Sequence, residues 1–232
     1  MSLRVWYARA RSRDASACRS YLESVSIQGL GEELGFHPLF YCLDRDLPVM
    51  ALALIEGLRP DQLEDEEFLA EVGARSTRMS TRRVTEELLR VGLDPNSRWA
   101  GATLLHEIAT SDSRLDFAEL ALRHGADLNA TDSNEMTPLH VAAMSSQPAM
   151  TWWLLKHGAN PDLVDLRGLT AVGHAREQMD ALPRKGGSVL LDYQWQEDCL
   201  KAVRRLLMEP LGFDQGNGHA AKQADPKEAI RP

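Results

Sequence analysis

The chain has 232 residues, of which 44% are apolar and 26% charged, and a formal net charge of −8. These are ordinary globular proportions, which exclude wholesale disorder and a membrane-embedded protein; the length admits one large core, two small ones or the continuous core of a repeat array. The acidic balance, with arginines that do not gather into one long stripe, excludes nucleic acid as a partner and favours a basic or neutral protein.

In chain order, the first segment carries Arg4, Arg9, Arg11 and Arg13 with no apolar core behind them, so no secretory signal is expected. No apolar run approaches the roughly 18 residues that would span a bilayer. Cys18, Cys42 and Cys199 are odd in number, widely spaced and without a CxxC pair, which suggests neither a disulfide framework nor a zinc site. Reduced thiols and the lack of a leader predict a cytoplasmic protein. Arg outnumbers Lys by 21 to 5, a bias of GC-rich, bacterial coding sequence. Residues 1–30 are expected to form an N-terminal capping region with a charged helix near 12–25; the basic stretch from Arg4 to Arg19 reads as the solvated face of a capping helix, with a contact patch as the alternative.

The next signal is an internal repeat. The segments ALIEGLRPD, LLRVGLDPN, LALRHGADLN and WLLKHGANPD place Gly57, Gly92, Gly125 and Gly158 at separations of 35, 33 and 33 residues. Each glycine follows an apolar helical run, where a helix stops in the left-handed conformation that glycine adopts without a Cβ clash. Upstream of two of them stand Thr103-Leu-Leu-His106 and Thr137-Pro138-Leu-His140, each leading an Ala-containing apolar stretch. Threonine is a natural helix cap, and proline fits the first turn, where its missing N–H costs nothing.

On these residues the chain resembles the ankyrin-repeat family, whose unit is a β-turn and two antiparallel helices over about 33 residues with a T-P-L-H-x-A signature. The best-matching units are 98–129 and 131–162. The second follows the signature nearly throughout, with Glu135 in place of the usual turn glycine; the first keeps Gly101 but has Leu104 for proline and an extra residue near Ser113. A following unit opens at Asp165 with Gly168 and Thr170, then departs: Gly173 takes the histidine slot and an insertion at 179–194 precedes a second helix expected over 197–208. Degenerate units precede, one around His37-Pro38 and one over 61–96. The resemblance implies an all-α solenoid of about five β-turn/helix-turn-helix units over 31–210, atypical at both ends, with a mobile tail at 211–232.

No catalytic, metal or cofactor role is expected of the residues that invite one. In this family the signature histidine hydrogen-bonds backbone between neighbouring units, which assigns His106 and His140, with Thr103, Thr137, Pro138, Gly125 and Gly158, to the structural motif. His124 and His157 stand before helix-ending glycines, where polar or cationic side chains suit the negative end of the helix. The acidic run at 61–71 suits a solvated helix start, and also offers a surface to a basic partner. Nucleophile-elbow, Walker, dinucleotide and kinase signatures are lacking, so the expected function is not enzymatic, with an enzyme that carries no recognisable motif as the alternative.

The resemblance implies instead a partner protein held by turn tips and the exposed side of each first helix. That assigns Trp99, Ala100 and Ala102, then Ser133, Asn134 and Met136, then Leu166 and Arg167 at the tips, with Leu169 beside them, and Met144 and Ser145 on a helix. Thr110, Ser111, Glu177 and Gln178 are the corresponding helix positions. Trp99 is the sharpest candidate anchor, since a tip tryptophan has no core to fill. Trp152 and Trp153 differ by about 100° around a helix, so Trp153 packs and Trp152 faces outward as a secondary candidate. A chain of this kind, expected to be a monomer when free, would bind stoichiometrically, as a toxin-neutralising immunity protein does or as a scaffold presenting a client.

Overall fold

The computed structural model describes residues 3–25, 27–34, 37–58, 62, 65–80, 82–181 and 190–208. Among these the expectation of an all-α chain is borne out: there are thirteen α-helices and no named strand. The expected tail at 211–232 and the centre of the insertion lie outside the described residues.

The chain divides into two compact units, one of residues up to 107 with 119–126, the other of 108–118 with the residues from 127 onward. In the first unit, α1 (Leu3–Ala10), α2 (Ala15–Glu23) and α3 (Ile27–Leu34) precede the pairs α4 (Pro38–Asp44) with α5 (Pro48–Glu56) and α6 (Glu66–Ser76) with α7 (Arg83–Val91). The charged helix expected near 12–25 is α2, which Asp14 starts by accepting the N–H groups of Ser16 and Ala17 at 2.9 and 3.2 Å; α1 precedes it as a separate helix. Trp6, Leu39, Met50, Leu54, Val72, Val84 and Leu88 are buried on the inward faces of these helices.

The next pair, α8 (Leu104–Ile108) and α9 (Leu115–Arg123), crosses the division between units. The second unit continues with α10 (Pro138–Met144), α11 (Pro148–Lys156), α12 (Ala171–Ala181) and α13 (Leu190–Met208). α10 packs on α11 and α12, and α13 on α11 and α12. Leu139, Ala142, Met150, Leu154, Ala171, Ala175, Leu200 and Val203 form the core. α13 begins seven residues before the expected start at 197, so part of the stretch assigned to the insertion is helix. Among the described residues five helix pairs therefore follow the N-terminal segment.

Pairs are ended and joined by backbone that only certain residues accept. Gly92, Gly125 and Gly158 have φ of 124, 89 and 97°, the left-handed helix stop. Gly57 differs, with φ of −98°: its helix ends without a left-handed residue. In the turn before α10 the glycine slot is held by Glu135 at φ of 58°, while the equivalent Gly168 sits at 72°. Left-handed backbone costs a side-chain-bearing residue about 1–2 kcal/mol, part of which glycine returns through the freer unfolded chain. Glu135→Gly is expected to raise stability by about 0.5–1 kcal/mol in chemical denaturation, since position 135 is exposed and glycine suits its φ.

Candidate partner-binding surface

Two turns of the second unit share one construction. Asp132 Oδ1 accepts the N–H groups of Asn134 and Met136 at 2.7 and 2.8 Å, and its own N–H donates to Met136 O at 2.8 Å. Asp165 Oδ1 likewise accepts from Arg167 and Leu169 at 2.9 and 2.8 Å, and its N–H donates to Leu169 O at 3.0 Å. The Leu166 N–H donates to Asn134 O at 3.0 Å, which ties the second tip to the first. Both tips are therefore rigid before any partner arrives, and little conformational entropy is lost on association.

The helices behind the tips are locked as firmly. His140 Nδ1 accepts the Thr137 N–H at 3.1 Å and faces Thr137 Oγ1 at 2.8 Å, while Nε2 donates to Leu169 O at 3.1 Å in the next turn. A backbone N–H can only donate, so Nδ1 is unprotonated and the ring is the neutral Nε2–H tautomer. Burial, with His174 beside it, holds its pKa below the ordinary histidine value. His174, one residue after the slot that Gly173 occupies, lies with Nε2 2.8 Å from Asp165 Oδ2, both side chains almost fully buried. In the first unit His106 Nδ1 accepts the Thr103 N–H at 3.2 Å in the same manner.

The turn at 99–102 is built differently. Trp99 and Ala102 exchange both N–H···O bonds at 3.0 Å, and Ala100 and Gly101 both have positive φ, 52 and 85°. This is a two-residue hairpin turn with both central residues left-handed. Arg98 stands where the other two turns have aspartate, so no carboxylate braces the tip and the chain closes on itself instead.

The positions assigned from sequence fall into three sets. Ser133, Asn134, Leu166 and Arg167 are exposed at the braced tips, Met144 is exposed at the end of α10 and Ser145 is half-buried beside it. Ala100 is exposed in the other unit, with Trp99 and Ala102 half-buried. Met136 departs from its assignment: it is only 9% exposed, because the Asp132 brace turns the chain inward there, and it packs instead of presenting a contact. Leu166, 64% exposed, and Val164, 49%, are the more prominent apolar groups, and Val164 was not among the sequence candidates. Trp153 is buried and stacks 4.2 Å from the His157 ring, while Trp152 is half-buried with Lys156 Nζ 4.8 Å over its ring. Sequence reasoning also missed Asp132 and Asp165 as braces, although each stands five residues before a helix-capping threonine.

Arg167 pairs with Glu177, so its charge at the tip is largely satisfied within the chain. Among the described residues no group of three or more His, Cys, Asp or Glu side chains is placed to hold a metal ion, and no helix is long and apolar enough to cross a membrane.

Residues 77–165 match the family of ankyrin repeats, in three copies. The chain is 37% identical over 73 residues to BCL-6 corepressor-like protein 1 of Homo sapiens, covering 32% of this chain and 4% of that one. It is 38% identical over 118 residues to the E3 ubiquitin-protein ligase Ufd4 of Drosophila melanogaster, covering 48% and 4%. It is 28% identical over 134 residues to NF-kappa-B inhibitor alpha of Sus scrofa, covering 51% and 38%. The chain thus spans well under half the length of each of these three relatives.

Proposed function

We propose that this ankyrin-repeat protein holds a partner protein stoichiometrically and without catalysis, through the tips carrying Ser133, Asn134, Leu166 and Arg167 together with Met144 and Ser145. The observation that carries the reading is the preformed apolar tip: Leu166 is 64% exposed on a turn fixed by the Asp165 carboxylate and by the bond to Asn134. A large aliphatic group held rigidly in water, rimmed by Ser133, Asn134 and Arg167, has the make-up of an interface centre with a polar rim. Trp99, Ala100 and Ala102 are further contacts on the other unit, and Trp152 a secondary one.

Within that function we favour a protein that blocks what it binds, the role of an immunity protein. One relative is by its name an inhibitor of NF-kappa-B, and the acidic charge of −8 suits capture of a basic partner. A scaffold that presents a client is the second reading, favoured by relatives whose ankyrin segment is a small part of a longer chain, as in Ufd4.

The test is affinity capture from native lysate with the wild type, a Leu166→Asp, Met144→Asp variant and a Trp99→Ala variant. Burying a new carboxylate in an interface is expected to lower the retained partner at least about ten-fold, equivalent to about 1.4 kcal/mol, with helical content and melting unchanged. Equal retention by the tip variant would overturn the assignment of the surface. Loss of the captured protein's own activity on binding separates blocking from presentation.

A further inference from the structure

The N-terminal segment carries a second surface of opposite character. On α1, Trp6 and Ala10 are buried, with the Trp6 ring 6.3 Å from Tyr21 and from Tyr41, so that face of the helix is anchored. Val5, Ala8 and Arg9 recur at the i, i+3, i+4 spacing that puts them on one other face, and all three are exposed. With Arg11 and Ser12 they line an open cleft of about 530 Å³.

The loop that holds the arginines is ordered by its own bonds. The Ser12 N–H donates to Arg9 O at 2.9 Å, the Asp14 N–H to Ser12 Oγ at 3.1 Å, and the buried Cys18 thiol lies against Arg9 O and Ser12 O at 3.7 and 3.9 Å. Asp14, the nearest carboxylate in sequence, is occupied in capping α2. Arg19 is taken by both oxygens of Glu56 at 2.8 Å. Arg75, Arg78 and Arg90 are likewise paired, with Asp44 and Glu71, with Glu107 and with Glu87. Among the described residues Arg9, Arg11 and Arg13 form no ion pair. Residues 1–25 hold five arginines against Asp14 and Glu23, a local charge of +3 in a chain of −8.

We propose that this cleft binds an acidic peptide segment of a partner protein, its carboxylates meeting Arg9 and Arg11 and an apolar side chain seated against Val5 and Ala8. Guanidinium groups pair with carboxylates in forked geometry, and an ordered loop leaves less entropy to lose. A short peptide feels the local charge, whereas a membrane or a duplex also meets the acidic remainder of the chain, which repels a polyanion.

The experiment is fluorescence anisotropy of the full chain with a labelled peptide of Glu-Glu-Leu repeats, beside a Lys-Lys-Leu control. Saturable binding of the acidic peptide is expected, weakening as salt rises. Arg9→Ala with Arg11→Ala is expected to weaken it about ten-fold, as is Ala8→Trp, which fills the cleft with its charge intact. All three positions are exposed, so circular dichroism should show unchanged helix. The Leu166→Asp, Met144→Asp variant should bind the acidic peptide normally, which keeps this proposal separate from that for the turn tips. Equal binding of the lysine peptide, no effect of either cleft variant, or tighter binding to duplex DNA or phosphatidylserine vesicles would overturn it.

Discussion

His140→Ala is expected to cost about 3 kcal/mol of unfolding free energy at pH 7.5. The ring is 1% exposed and bonds the Thr137 N–H on one side and Leu169 O on the other. Truncation leaves both backbone groups without that partner, at about 1–3 kcal/mol for each buried group left unsatisfied, and opens a void beside the His174 ring. Chemical denaturation of the two proteins measures the difference. A loss below about 0.5 kcal/mol would show that water replaces both bonds.

The same ring predicts a pH dependence. The folded state holds His140 neutral, with its pKa depressed by burial and by His174, although Asp165 nearby acts the other way. The unfolded chain gains a proton as pH falls through the ordinary value of about 6.5, and the folded chain gains it only at lower pH. The contribution is therefore complete above pH of about 6.5 and is lost progressively below it. Stability curves between pH 7.5 and 5 should fall less steeply for His140→Ala than for the wild type; parallel curves would refute the assignment of the neutral tautomer.

Asp112→Ala is expected to cost about 2 kcal/mol. α11 begins at Pro148, and its N-cap Gln147 makes no capping bond with its own side chain. The cap comes instead from the preceding repeat: Asp112 Oδ1 and Oδ2 accept the Met150 and Ala149 N–H groups at 2.7 and 3.2 Å, and the Asp112 N–H donates to Gln147 Oε1 at 2.7 Å. Losing a helix cap costs about 1 kcal/mol, and here two amides lose their acceptor together. Burial raises the Asp112 carboxyl pKa against the pull of those amides, so the charge itself is disfavoured at this site. Asp112→Asn keeps an acceptor oxygen without the buried charge, and its loss should be under about 1 kcal/mol. Equal losses for the two variants would mean that the charge acting on the helix dipole is what stabilises, and not the acceptor geometry.

Asp112 lies in the short 3₁₀ segment Asp112–Arg114, where the best-matching units differ by one residue. In the sequence this reads as an imperfection of the repeat. Its use as a cap depends on a partner 37 and 38 residues away in the chain, which no local pattern reveals. Met136 failed as a tip residue for a related reason: its slot in the repeat is right, but the Asp132 brace that turns it inward is a side-chain-to-backbone bond, invisible to periodicity. His174 is a third case. One residue out of register, it reads as a lost signature, yet it meets the buried Asp165.

The sequence by itself determined the repeat: its period, the all-α class, the left-handed stops at Gly92, Gly125 and Gly158, and the threonine and histidine that open the helices. Those features are local, set by backbone conformation and by neighbours a few residues apart, so they are written in consecutive residues. Only the tertiary structure decided which tip side chains face water, where Arg9 and Arg11 meet an apolar stripe, and which carboxylates serve the chain and not a ligand. These depend on residues brought together from distant positions, where burial and competition for each N–H group select one arrangement among several that the same local pattern permits.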